Sequence, residues 1–90
     1  MLFRGSKIKL SYESDGKLVK DQIMILAQTF DKDYIFQLIN ISGYYAGVIE
    51  AYIKIEGTDG GSISIDLLKK ELERNFLGIN WNEFEIVEKG

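Results

Sequence analysis

The run Ile23-Met24-Ile25-Leu26-Ala27, apolar at every successive position, constrains this chain more than any other stretch. Successive side chains of a strand point to opposite faces, so such a run predicts an interior strand covered on both sides. Tyr34-Ile35-Phe36-Gln37-Leu38-Ile39-Asn40-Ile41 repeats the pattern with β-branched and aromatic residues. Two interior strands need neighbours.

The flanking segments supply them. Lys7-Ile8-Lys9-Leu10-Ser11-Tyr12 alternates with period two, which places Ile8, Leu10 and Tyr12 on one face of a half-buried strand. Ser14-Asp15-Gly16-Lys17 carries Asp-Gly, a pair that tolerates positive φ and suits a hairpin into a second strand over 18–30. Asp31-Lys32-Asp33 reads as a short charged turn before the strand over 34–41. Val48–Ile55 alternates again, with Ile49, Ala51, Ile53 and Ile55 inward and Val48, Glu50, Tyr52 and Lys54 outward. Residues 56–61, EGTDGG, form a loop. A helix follows over 65–77: Ser64 is its N-cap, Asp66 complements the dipole, and Ile63 with Leu68 has staple spacing. Ile65, Leu68, Leu72 and Phe76 make its apolar stripe, Asp66–Lys70 and Lys69–Glu73 are i,i+4 pairs on the wet side, and Gly78 stops it. Residues 81–88 alternate as a last strand, with Phe84 and Ile86 inward and Glu83 and Glu85 outward. The order ββββαβ predicts a single α+β domain over 1–90: a mainly antiparallel sheet of about five strands with one helix packed on it.

Function is constrained mostly by what is missing. The chain has no cysteine and no histidine, which removes disulfides, the usual zinc ligands, the Ser-His and Cys-His nucleophile pairs and the commonest general base near neutral pH. An enzyme is therefore not expected, nor a cofactor. No apolar run reaches the length of a membrane span or a signal-peptide core, so a cytoplasmic protein without a membrane partner is expected. Fourteen acidic against eleven basic residues give a net charge of −3, which argues against nucleic acid and suits a basic protein partner.

Residues 42–47, S-G-Y-Y-A-G, are the most distinctive motif. A phosphate-binding loop opens a helix, so that amide N–H groups and the helix dipole converge on the anion. Here a strand-like alternation follows instead. Gly43 and Gly47 suit a turn or bulge between strands, but a plain hairpin tip has no need of two tyrosines. Tyrosine buries a large rigid ring and keeps a polar end, which favours protein interfaces. Tyr44 and Tyr45 are thus candidate contact residues, the alternative being that one folds back over the helix.

Other constellations are weaker. Glu83 and Glu85 would lie about 7 Å apart on one strand face, but alternating glutamates are ordinarily a solvated face. Asp59-Gly-Gly and Asp31-Lys32-Asp33 lack the dense acidic spacing of a calcium loop. Arg4, Lys7, Lys9, Lys17 and Lys20 with Tyr34, Phe36 and Tyr52 suggest stacking on a single strand of nucleic acid, against which stands the acid excess.

Phe3-Arg4-Gly5-Ser6, the run Ile39-Asn40-Ile41-Ser42-Gly43-Tyr44-Tyr45-Ala46-Gly47-Val48-Ile49, and the helix entry Ser62-Ile63-Ser64-Ile65-Asp66-Leu67-Leu68 together resemble a family of small bacterial immunity proteins of polymorphic-toxin and contact-dependent inhibition systems. The resemblance implies a non-catalytic cytoplasmic inhibitor that binds a cognate toxin, a basic nuclease domain being one suitable target. Partner-binding residues are expected at Tyr44 and Tyr45, at Glu50 and Tyr52 on the following strand, and at Glu83 and Glu85 on the last. The alternative is a generic interaction or self-association module, a homodimer paired through an exposed edge strand.

Overall fold

Strands β2 (Lys7–Ser14) and β3 (Lys17–Gln28) form a hairpin whose two turn residues, Asp15 and Gly16, sit at φ 53° and 77°. Positive φ at both positions is what a twisted two-residue hairpin turn needs, and Asp-Gly supplies it. The computed structural model describes residues 1–30, 33–54 and 61–89. The main sheet adds β4 (Tyr34–Asn40), β5 (Ile49–Lys54) and β7 (Glu85–Glu88), all antiparallel, in the order β5-β4-β3-β2-β7. The expected five-strand sheet and its ββββαβ order are therefore present. The sequence reading omitted a small two-stranded sheet in which β1 (Leu2–Phe3) pairs with β6 (Ser62–Ile63). Between β1 and β2, Phe3-Arg4-Gly5-Ser6 is a tight turn: the Ser6 amide donates to the Phe3 carbonyl at 2.9 Å, with Gly5 at φ 93°.

Helix α1 (Ile65–Asn75) lies on one face of the sheet. The Ser64 hydroxyl accepts from the Leu67 amide at 3.1 Å, and Ile63 and Leu68 are both fully buried, so cap and staple stand where expected. Leu68, Leu72 and Phe76 meet Ile8, Leu10, Met24, Leu26, Leu38 and Ile53 in one core. The helix ends two residues early. Phe76 turns extended at φ −129°, ψ 146°, which swings its ring against Tyr12 at 4.6 Å between centroids. Neither expected i,i+4 ion pair forms. Lys69 instead sits 5.6 Å from the Trp81 and Phe84 rings, and Glu71 pairs with Arg74 at 3.1 Å.

Three further expectations need correction. Residues 81–88 are not one strand: Trp81–Glu83 is a 3-10 turn capped by the Asn80 side chain, which accepts from the Asn82 amide, and only Glu85–Glu88 extends. The central run of β3 is not covered on both sides. Met24 and Leu26 are fully buried, whereas Ile23, Ile25 and Ala27 on the opposite face are half-buried, beside the part-exposed Lys7 and Lys9 of β2. Finally, the register of β5 breaks between the pairs Leu38↔Ala51 and Ile39↔Ile49, leaving an extra residue on β5. Such a bulge reverses the alternation: Ile49, expected inward, is exposed, and Glu50, expected outward, turns into the protein. Ile55, the loop over 56–60 and the charged pair at 31–32 lie outside the described residues.

Candidate partner-binding surface

The hexapeptide joins β4 to β5 through a 3-10 turn, Gly43–Tyr45. Gly43 and Gly47 have φ 54° and 91°, and a methyl group on either would touch nothing within 4 Å. The glycines therefore serve backbone direction and not space. Gly47 donates to the Asn40 carbonyl at 2.6 Å, Val48 to that of Tyr45 at 3.0 Å, and Asn40 to that of Val48 at 2.9 Å, after which the chain resumes as a strand. With no helix opening here, the amides do not converge on an anion.

What holds this loop is a buried polar network. Asn40, fully buried, donates through Nδ2 to Gln22 Oε1 at 2.9 Å and to Glu50 Oε2 at 3.1 Å. Its Oδ1 accepts from both the amide and the hydroxyl of Ser42 at 2.8 Å, while Ser42 Oγ accepts from the Ile23 amide at 2.9 Å. Tyr12 completes the chain by donating its phenol to Glu50 Oε2 at 2.9 Å. Burial, then the hydrogen bond to Glu50, pushes the Tyr12 phenol above its ordinary range. These hydrogen bonds tie the root of the tyrosine loop to β3 and β5.

On that root Tyr44 stands 94% exposed, edge-on to Tyr45 with ring centroids 5.3 Å apart. Ile41, Val48, Ile49 and Tyr52 of the same hairpin are exposed as well. Tyr52 also meets Tyr34 at 5.2 Å between rings. Two clefts flank Glu50. One, of about 260 Å³, runs between β5 and the end of α1 past Tyr34, Tyr52, Lys54 and Arg74. The other, of about 360 Å³, lies between the end of β2, Tyr45 and the residues that close the helix.

The expected site residues thus divide. Tyr44 meets Tyr45, Tyr45 and Glu50 line one cleft, and Glu50 and Tyr52 line the other, with Glu50 acting from below as an anchor. Glu83 and Glu85 do not join them, because β7 is the strand farthest from β5 in the sheet. Glu83 is instead bonded to Asn80 and pairs with Lys20 at 3.5 Å, and Glu85 pairs with Lys9 at 3.1 Å, holding the Lys9 ammonium above its ordinary range. Compared with protein-family models, curated proteins and solved structures, the chain has no significant match in any of the three. Its own geometry must carry the functional reading.

Among the described residues no three acidic side chains are grouped to hold a metal ion, and no helix is long and apolar enough to cross a membrane. The surface can offer aromatic and aliphatic contact, with carboxylates at its edge. Sequence reasoning missed Asn40 and Tyr12, which support the loop, and Ile41 and Ile49, which widen it. Asn40 had a signal, being the one amide at an otherwise buried position of β4.

Proposed function

We propose that this chain is a cytoplasmic immunity protein that binds a cognate toxin and neutralises it by covering it, without chemistry of its own. The observation that carries the reading is the display of Tyr44 on a loop whose root is tied down by a hydrogen-bond network centred on the fully buried Asn40. A ring that is 94% exposed contributes nothing to this fold's core, and an aromatic anchor held in place loses little freedom on binding. The exposed apolar residues Ile41, Val48, Ile49 and Tyr52 of the same hairpin add to the surface available for contact. The acid excess of the chain suits a basic target such as a nuclease domain.

Pairing of two copies through an edge strand is less favoured. The outer edge of β5 is partly closed where Glu71 accepts the Lys54 amide at 2.9 Å, and β7 is four residues long with ion-paired Glu85 and Glu88 along it. Short, charged edges resist strand addition. The test is capture: the purified chain is mixed with the product of the adjacent upstream gene, and a complex is expected that Tyr44→Ala weakens. Absence of a complex with that product removes the reading.

A further inference from the structure

We propose that the larger cleft, between the end of β2, the tyrosine loop and the close of α1, receives an arginine side chain presented by a protein partner. The identity of that partner rests on the toxin-binding reading; the chemistry of the cleft does not.

The cleft is lined by three aromatic residues, of which Tyr45 is exposed and Tyr12 and Phe76 are largely buried, and by the acidic residues Glu13, Asp15 and Glu50. Among the described residues no lysine or arginine lines the cleft. Among the described residues none of the three carboxylates takes part in an ion pair, whereas Glu71, Glu83, Glu85 and Glu88 each have one. The Arg74 guanidinium lines the neighbouring cleft and is held by Glu71. The C-terminus of α1 adds to the same sign, since its last residue, Asn75, borders the cleft and a helix C-terminus carries partial negative charge. A site with this charge and no resident cation is complementary to a positive group.

The shape selects among cations. Glu50 Oε2 already accepts from Tyr12 and Asn40, which fixes the carboxylate, while Oε1 has no hydrogen-bond partner among the described residues. A hard metal ion needs several oxygens converging on one point, and the three carboxylates are not so grouped. A guanidinium is planar and weakly hydrated, so it stacks on rings and directs its N–H groups to separate carboxylates at once. Free arginine would cover little of an open cleft. An arginine on a folded surface would bring its neighbours onto Tyr44 and onto Leu77, which is 77% exposed.

The test is a titration of the whole folded chain, followed by amide NMR shifts, with the peptide acetyl-Gly-Arg-Gly-amide and its citrulline analogue. The arginine peptide is expected to shift Tyr12, Glu13, Tyr45 and Glu50, and the neutral citrulline peptide is not. Glu50→Gln keeps an acceptor for Tyr12 and Asn40 and should weaken the arginine peptide about tenfold, the effect of one charged hydrogen bond. Asp15→Asn, in an exposed turn, gives a second reading should Glu50→Gln fail to fold. Equal binding of citrulline, shifts gathered at Glu85 and Glu88, or undiminished binding by either folded variant would overturn the proposal. Arginine binding without capture of the neighbouring gene product would uphold the cleft and remove the toxin reading; capture without arginine binding would remove the cleft alone.

Discussion

The phenol of Tyr12 donates to Glu50 Oε2 at 2.9 Å and so links β2 to the edge strand β5, although β3 and β4 lie between them in the sheet. The two side chains meet beside Phe76, where the helix ends. One contact thereby closes the core and supports the loop that carries Tyr44.

This contact makes stability sensitive to alkali. The folded-state phenol titrates above its ordinary value of 10.0, so as pH rises the unfolded chain releases this proton first. The contribution is whole below about pH 10 and is lost as pH climbs towards the folded-state value. Tyr12→Phe keeps the ring against Phe76 but removes the donor, and is expected to destabilise by about 1–2 kcal/mol at neutral pH. It should also flatten the decline above pH 10, its ordinary value. Urea unfolding of both proteins between neutral and strongly alkaline pH measures both effects.

Asn40→Ala tests the network from its centre. The truncation leaves the Gln22 carbonyl oxygen without its donor and the Ser42 amide and hydroxyl without their acceptor, in a part-buried setting. The expected loss is about 2–4 kcal/mol, since each buried unpartnered group costs about 1–3 kcal/mol and some will find water. Hydrogen exchange at residues 42–48 should quicken by more than the global loss explains, because the loop loses its root. A uniform change across the chain would show that the network only stabilises.

The sheet was legible in the sequence because period-two alternation and Asp-Gly are local signals, and the helix because Ser64, Ile63 and Leu68 mark its start within a few residues. What was not legible depends on pairing. The bulge that turns Glu50 inward arises from the register of β5 on β4, which no single strand encodes. β1 and β6 are two residues each, too short to show a period. The regular spacing of residues 81–88 misled because Asn80 caps a 3-10 turn before the strand can begin. The site followed the same rule: Tyr44 and Tyr45 stood out as residues, whereas the distance between Glu85 and the loop is a property of strand order.

Gly78→Ala probes the floor under Glu13. Gly78 has φ 60°, and a Cβ there would lie 2.6 Å from a Glu13 carboxylate oxygen. Backbone strain and contact both oppose the change, with an expected cost of about 1–3 kcal/mol. In a Glu13→Ala background the contact disappears and the strain remains, so the cost should fall without vanishing. A double-mutant cycle by thermal unfolding separates the two, and an unchanged cost would assign it wholly to the backbone.

Tyr44→Ala separates binding from folding. Its ring is 94% exposed and lies edge-on to Tyr45, so unfolding free energy should move by no more than about 0.5 kcal/mol. If the loop is the anchor, affinity for the neighbouring gene product should fall by about 2 kcal/mol or more, close to thirtyfold, as for a central aromatic contact. Glu85→Ala is the matched control. It removes a surface carboxylate on the strand farthest from the loop and should leave that affinity unchanged. Titration calorimetry of the three proteins against the same partner decides the matter, and the reverse order of effects would move the contact surface from the tyrosine loop to β7.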